Sequence, residues 1–198
     1  MSVVPGFLRL AAMRSSVRRF LADRPVGDAE IAAVLEAARL APSAENAQPW
    51  RFVVVRDPSV RQRLVEGAFT GIYRRSQRID APVFFALCGV HGAVDLAGRA
   101  AGHASYTLTD CGIAGEHVVL AAADLGLGTC WIGMFHRRRA RRVLGIPAGV
   151  NLIALIALGW PADPAREAPL AKGRKSLSAI AWTDRWGSPF VGGQSAGV

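Results

Sequence analysis

The stretch RSSVRRF, residues 14–20, sets two serine hydroxyls between Arg14 and Arg18, with Arg19 alongside. Guanidinium forks match phosphate oxygens in pairs and hydroxyls add short donors, so Arg14, Ser15, Ser16 and Arg18 form a candidate phosphate clamp. A solvated basic segment is the plainer alternative. The stretch APSAENAQPW, residues 41–50, follows a helical pattern and carries Pro42, Ser43, Asn46 and Gln48. Its hydroxyl and amides offer the donors and acceptors that a planar heterocycle with ring carbonyls and nitrogens needs. The same residues would also serve simply to stop a helix. GLGTCWIGMF, residues 126–135, is glycine-rich enough for its backbone to approach a ligand closely, yet it matches neither GxGxxG nor a P-loop. GRKSL, residues 173–177, adds two cations, Arg174 and Lys175, beside a serine.

Side-chain catalysis has no comparable signature. The four histidines, His91, His103, His117 and His136, show no metal-binding spacing, and there is no GxSxG elbow. Glu116 and His117 are adjacent, which on a helix turns them about 100° apart and makes a poor acid–base pair. Cys88, Cys111 and Cys130 are widely spaced in apolar surroundings, the pattern of reduced, buried, inert thiols. An anion clamp and a polar ring-binding loop without catalytic side chains point to chemistry borrowed from a cofactor.

The elements that must position these stretches follow from periodicity. A short amphipathic helix is expected over Pro5–Met13. A second is expected over Asp28–Leu40, with Ile31, Val34, Leu35 and Ala38 on one face and Asp28 as N-cap. WRFVVV, APVFFALCG, TCWIG and NLIALIALGW are expected strands. Pro58 suits the first turn of a helix, RRRARRVLG forms a short basic one, and a long alanine-rich helix over 106–124 should stop at Gly126. The irregular crossovers predict a mixed α+β sheet rather than a doubly wound one. The chain should form one domain over residues 1–198, with a polar arm from about 161 to 190 and a final stretch, 191–198, that frays.

Composition narrows the partners. Hydrophobic residues make up 51%, too many for disorder, and the longest apolar run, LIALIALGW, is too short to span a bilayer. No signal-peptide pattern opens the chain, and a cytoplasmic location is expected. Lys plus Arg number 24 against 15 Asp plus Glu, a net charge of +9, with lysine only at Lys172 and Lys175. Such a field attracts anions. The HRRRARR run lacks interleaved aromatic residues, which argues against nucleic acid as the main partner.

In this order the pieces resemble the nitroreductase family of FMN-dependent oxidoreductases over nearly the whole chain. APSAENAQPWRFVVV is very similar to the family's PSxxNxQPWxF motif, the most specific match. FLRLAAMRSSVRRF resembles its opening helix and RRSxRxF segment, and AADLGLGTCWIG its long-helix exit. RRVLGIPAGVNLIALIALGWPAD resembles the basic helix, turn and strand that follow, and RKSLSAIAWTDRWG the closing arm.

The resemblance implies a mostly antiparallel sheet flanked by helices, in an intertwined homodimer with exchanged C-terminal arms. It assigns Arg14, Ser15, Ser16 and Arg18 to the FMN phosphate and ribityl chain, joined by Arg174 and Lys175. The family often has arginine at position 15, so serine there leaves one charge fewer. Pro42, Ser43 and Asn46 would line the flavin across the dimer interface, with Gln77 near its pyrimidine end. The backbone of Trp131, Ile132 and Gly133 would lie near the ring, the Gly133 N–H facing flavin N5. The implied reaction is ping-pong hydride transfer from NADH or NADPH, the basic surface favouring NADPH, to a small organic acceptor such as a nitroaromatic or quinone. A specialised dehydrogenase or dehalogenase, or an FMN-binding protein without turnover, remains the alternative. Phe69, Tyr73, His103 and Tyr106 are candidate pocket walls, and ordinary packing is the competing reading of each. The flavin-dismantling branch departs from the PSxxNxQPW motif, which Asn46 retains.

Overall fold

A computed structural model describes residues 6–71, 79–163 and 173–190. Its order is α1 (Gly6–Met13), α2 (Asp28–Arg39), β1 (Trp50–Val55), α3 (Pro58–Ala68), β2 (Val83–Gly89), α4 (Ala93–Ala100), α5 (Tyr106–Asp124), β3 (Gly128–Ile132), α6 (Arg137–Leu144) and β4 (Asn151–Gly159). Two 3-10 turns, Ala44–Asn46 and Leu177–Ala179, complete it. The strands form one sheet in the order β1-β2-β4-β3, and all three ladders are antiparallel. The one parallel pairing among the described residues is the isolated bridge between Ser16 and Thr129.

The central strands are apolar apart from Asn151 at the start of β4, because both faces of the sheet are covered. Along β2, Phe84, Ala86 and Cys88 face the α3/α6 layer, while Val83, Phe85 and Leu87 face the α2/α5 layer. A register shift opposite Leu87 and Cys88 leaves Ile153 of β4 as the extra residue. This bulge keeps Leu152 and Leu155 in the same layer although they are an odd number of residues apart.

Caps follow local chemistry, with one correction. Asp57 accepts the Val60 N–H and Pro58 begins α3. Gly126, at φ 76°, follows the end of α5, and Gly145, at φ 65°, ends α6. Asp28 is not the N-cap of α2: Gly27 takes that place, and Asp28 lies in the first turn with its carboxylate paired to Arg56. There it still complements the helix dipole. The helix α4 is an addition to the elements expected from the sequence. All three cysteines are free and buried. Burial pushes the Cys88 thiol to about 11 and Cys111 to about 12, and raises Cys130 as well. None is a ready nucleophile.

Candidate functional site

At the β3 edge, two stretches far apart in sequence come together. After α1, the chain runs along β3: Ser16 bridges Thr129, and the Val17 N–H donates to the Thr129 carbonyl at 2.8 Å. This approach needs a glycine at 128. A Cβ there would lie 2.6, 2.7 and 2.9 Å from Val17 Cγ2, Cβ and Cγ1. Further on, the Ala162 N–H donates to the Arg19 carbonyl and Leu21 N–H to Trp160. Arg14, Ser15 and Ser16 are therefore half-buried, with Arg18 exposed beside them. Arg19 pairs with Asp163, whereas Arg14 and Arg18 have no carboxylate partner among the described residues. Their charge is available to an anion. On the same strand Trp131 packs against Gly115 of α5, and Gly133 is exposed with open space where a Cβ would stand.

At the opposite edge lies the loop entering β1. Glu45, Asn46 and Gln48 all adopt left-handed backbone, at φ 51°, 53° and 45°. Each such L-residue costs on the order of 1 kcal/mol, asparagine the least, so this loop holds stored strain. Side chains tie it together. Ser43 Oγ accepts the Gln48 N–H at 3.0 Å, and Gln48 Nε2 donates to the Asn46 carbonyl and Oδ1, both at 3.1 Å. The Ala44 N–H reaches both oxygens of Asp110 on α5, at 3.3 Å each.

Beside this loop a cleft of about 200 Å³ is walled by the loop, Val90, α4 and the start of α5, with Tyr106, Asp95 and Asp110 in its lining. Asp95 is 5% exposed and closes the base of the 91–107 excursion. Its carboxylate accepts from His91 Nδ1 at 2.6 Å, Ser105 Oγ at 3.1 Å and the Thr107 N–H at 2.9 Å. Burial raises the Asp95 carboxyl, but the Thr107, His91 and Ser105 bonds together outweigh it and hold the group at about 2. A depressed carboxyl stabilises the fold above the unfolded value, roughly 3.9, and that contribution disappears as pH falls through the folded value. Asp95→Asn is therefore expected to cost roughly 1.5–3 kcal/mol at pH 7 in urea unfolding, the range for hydrogen bonds to a charged group. Its stability should also fall less steeply than that of the parent between pH 4 and pH 2.

Of the sequence candidates, Arg14, Ser15, Ser16, Arg18, Trp131, Ile132 and Gly133 gather at the β3 edge, while Pro42, Ser43 and Asn46 sit at the β1 edge. Trp50 pairs with Gly89, Gly89 with Asn151 and Ile132 with Leu155, so Gly133 leaves β3 toward the end of the sheet where Trp50 enters β1, whereas Ser16 is held at Thr129, which pairs with Leu158 toward the other end. Three strand intervals, about 14 Å, separate β1 from β3. Arg174 and Lys175 are exposed in the arm, and Gln77 and Tyr73 lie outside the described residues. Tyr106 does line the cleft, and His103 packs beside Gly98 of α4. Phe69 lies in the core and is not among the residues lining this cleft. It is 1% exposed, its ring stands edge-on to Phe84, and it bridges Phe135 in the core. Apolar packing decided its place. Sequence reasoning missed Asp95 and Asp110; the signal for Asp110 was its place on the α5 stripe of Thr107, Cys111, Ala114 and Val118.

Residues 11–160 match the model of the Nitroreductase family. An NADH dehydrogenase of Thermus thermophilus is 33% identical over 192 residues, covering 82% of this chain and 91% of its own. A 5,6-dimethylbenzimidazole synthase of Rhodospirillum rubrum is 29% identical over 204 residues, covering 94% and 93%. A crystal structure of a nitroreductase family protein from Clostridium difficile 630 superposes with a TM-score of 0.75 at 25% identity, over 91% of this chain and 99% of the other. The fold, the two motif-bearing edges and these matches agree: the chain belongs to the nitroreductase family and is an oxidoreductase. Among the described residues no helix is long and apolar enough to cross a membrane.

Proposed function

We propose that this chain is an FMN-dependent oxidoreductase that draws reducing equivalents from NADH or NADPH and delivers them to a small organic acceptor, a nitroaromatic, quinone or similar compound. The observation that carries the reading is the pairing of Ser16 and Val17 with Thr129, which sets Arg14 and Arg18 beside the glycine-rich start of β3. Those donors fit FMN: Arg14 and Arg18 lack carboxylate partners among the described residues, and open space adjoins Gly133. Arg14, Ser15, Ser16 and Arg18 would hold the phosphate and ribityl chain, with Arg174 and Lys175 reaching the same anion. Bound there, FMN would supply hydride-transfer chemistry between the nicotinamide donor and the acceptor. The chain's own groups bind, orient and exclude water. The Gly133 N–H would donate to the ring at N5, and Trp131 would keep that strand fixed against α5.

Pro42, Ser43 and Asn46, at the far edge of the sheet, would serve the flavin of a second copy. A homodimer with exchanged 161–190 arms meets this need. It also covers apolar surface that a monomer leaves open: Phe7 and Met13 on α1, Leu108 on α5, and Ile180 and Trp186 in the arm, at 64, 60, 48, 56 and 86% exposure. The spectrum of the purified protein under anaerobic conditions tests the reading. Flavin bands that bleach on adding NADPH or NADH support it; bound FMN that neither donor bleaches would leave a flavin-binding protein without turnover. In the apoprotein, Arg18→Ala is expected to weaken FMN binding roughly tenfold or more, the cost of a lost charge-assisted hydrogen bond. Turnover at saturating FMN should hardly change. Unaltered affinity would remove Arg18 from the clamp.

A further inference from the structure

We infer that Asp110 is a positioning residue that holds the 43–48 loop in the strained form in which Ser43 and Asn46 are presented to a ligand. This rests on the reading that the loop lines a flavin.

Three observations converge. Asp110 is 5% exposed, on the face of α5 that otherwise carries small and apolar core residues. A buried carboxylate requires compensating donors, yet the one hydrogen-bond donor it has among the described residues is the Ala44 N–H, shared between its two oxygens. Directly after Ala44, three of four residues take left-handed backbone, a conformation that only outside restraint maintains in residues with a Cβ. The restraint from within the loop, Ser43 Oγ to the Gln48 N–H and Gln48 to Asn46, closes the loop on itself, and Arg51 Nη1 of β1 donates to the Gln48 carbonyl at 2.9 Å, which leaves the Ala44 end still to be tied to the body of the protein. Asp110 supplies that tie across 66 residues of sequence. The helix bearing it is the longest in the fold and packs against α2 and against the sheet, so it is a rigid post. With the post in place the loop is already in its binding form. Without it the competent fraction falls, and apparent affinity falls in proportion.

The test uses the full chain with two substitutions, Asp110→Ala and the isosteric Asp110→Asn, and two readouts. Hydrogen exchange in the absence of FMN reads the loop itself. In Asp110→Ala the amides of residues 44–48, of which 44, 46, 47 and 48 are hydrogen-bonded here, should exchange at least tenfold faster, with β1 and α5 unchanged. Asp110→Asn keeps one acceptor oxygen and should fall between, and it carries the test should the alanine variant fail to fold. FMN titration of the same proteins should show Kd raised tenfold or more in Asp110→Ala and partly restored in Asp110→Asn, with kcat at saturating FMN within about twofold. Unchanged exchange over 44–48 in both variants would overturn the inference. Faster exchange with unchanged FMN affinity would uphold Asp110 as the tie and instead remove the loop from the flavin site.

Discussion

Phe69→Ala is expected to lower the free energy of unfolding by about 3–5 kcal/mol, the range for truncating a buried aromatic ring. Phe69 is 1% exposed, and its ring meets Phe84 at 5.8 Å and 90°, an edge-to-face contact worth about 0.5–1.5 kcal/mol beyond burial alone. The cavity left behind would close poorly. Phe84 belongs to β2, which is hydrogen-bonded on both sides by β1 and β4, and cannot move in to fill the space. Equilibrium urea unfolding measures the loss, and the acceptor KM should stay within about twofold of the parent. The sequence expectation of a pocket wall makes the opposite forecast: altered acceptor preference with stability intact. That pattern would contradict the buried placement.

Gly128→Val should weaken FMN binding about 100-fold and cost roughly 1–3 kcal/mol of stability, the usual penalty for overpacking. The new Cβ would fall within 3 Å of three atoms of Val17, all on or next to a branched carbon whose rotation is restricted. The side chain cannot turn aside, so the segment carrying Arg14–Arg18 must shift. It would then lose the Val17 N–H bond to Thr129 that aligns it with β3. Gly128→Ala is the milder version of the same change. Gly149→Ala is the control, because a Cβ there meets nothing within 4 Å and the residue lies in the exposed turn before β4. Quenching of flavin fluorescence on titration into apoprotein reads all three. Parent-like affinity in Gly128→Val would mean that the clamp does not depend on its seat against β3.

Most of the secondary structure was legible because its causes are local. The apolar face of α2, the apolar runs of β2 and β4, Pro58 at the start of α3 and the glycines after α5 and α6 each act within a few residues. Asp28 illustrates the margin of such arguments: a residue that suits a cap also suits the first turn, and its pairing with Arg56 is settled only when α2 meets the end of β1. The stretches 14–18, 42–48 and 131–133, proposed above as the flavin contacts, stand out in the sequence for a related reason. Backbone-dominated ligand contacts need particular small, polar or cationic residues in fixed succession, and that succession is visible in one dimension.

What the amino-acid sequence determined by itself was therefore the inventory: most of the elements, the family, and the short segments proposed for an anion and a flat ring. The tertiary structure decided their arrangement. It seated Val17 on Gly128, placed the loop and the clamp at opposite edges of the sheet, buried Phe69, and brought Asp110 to Ala44 and Asp95 to His91, Ser105 and Thr107. The physical reason is that a side-chain period tells which face of an element is buried but not which other element covers it. A carboxylate on a core-facing stripe looks like a defect until the one N–H it serves arrives from 66 residues away.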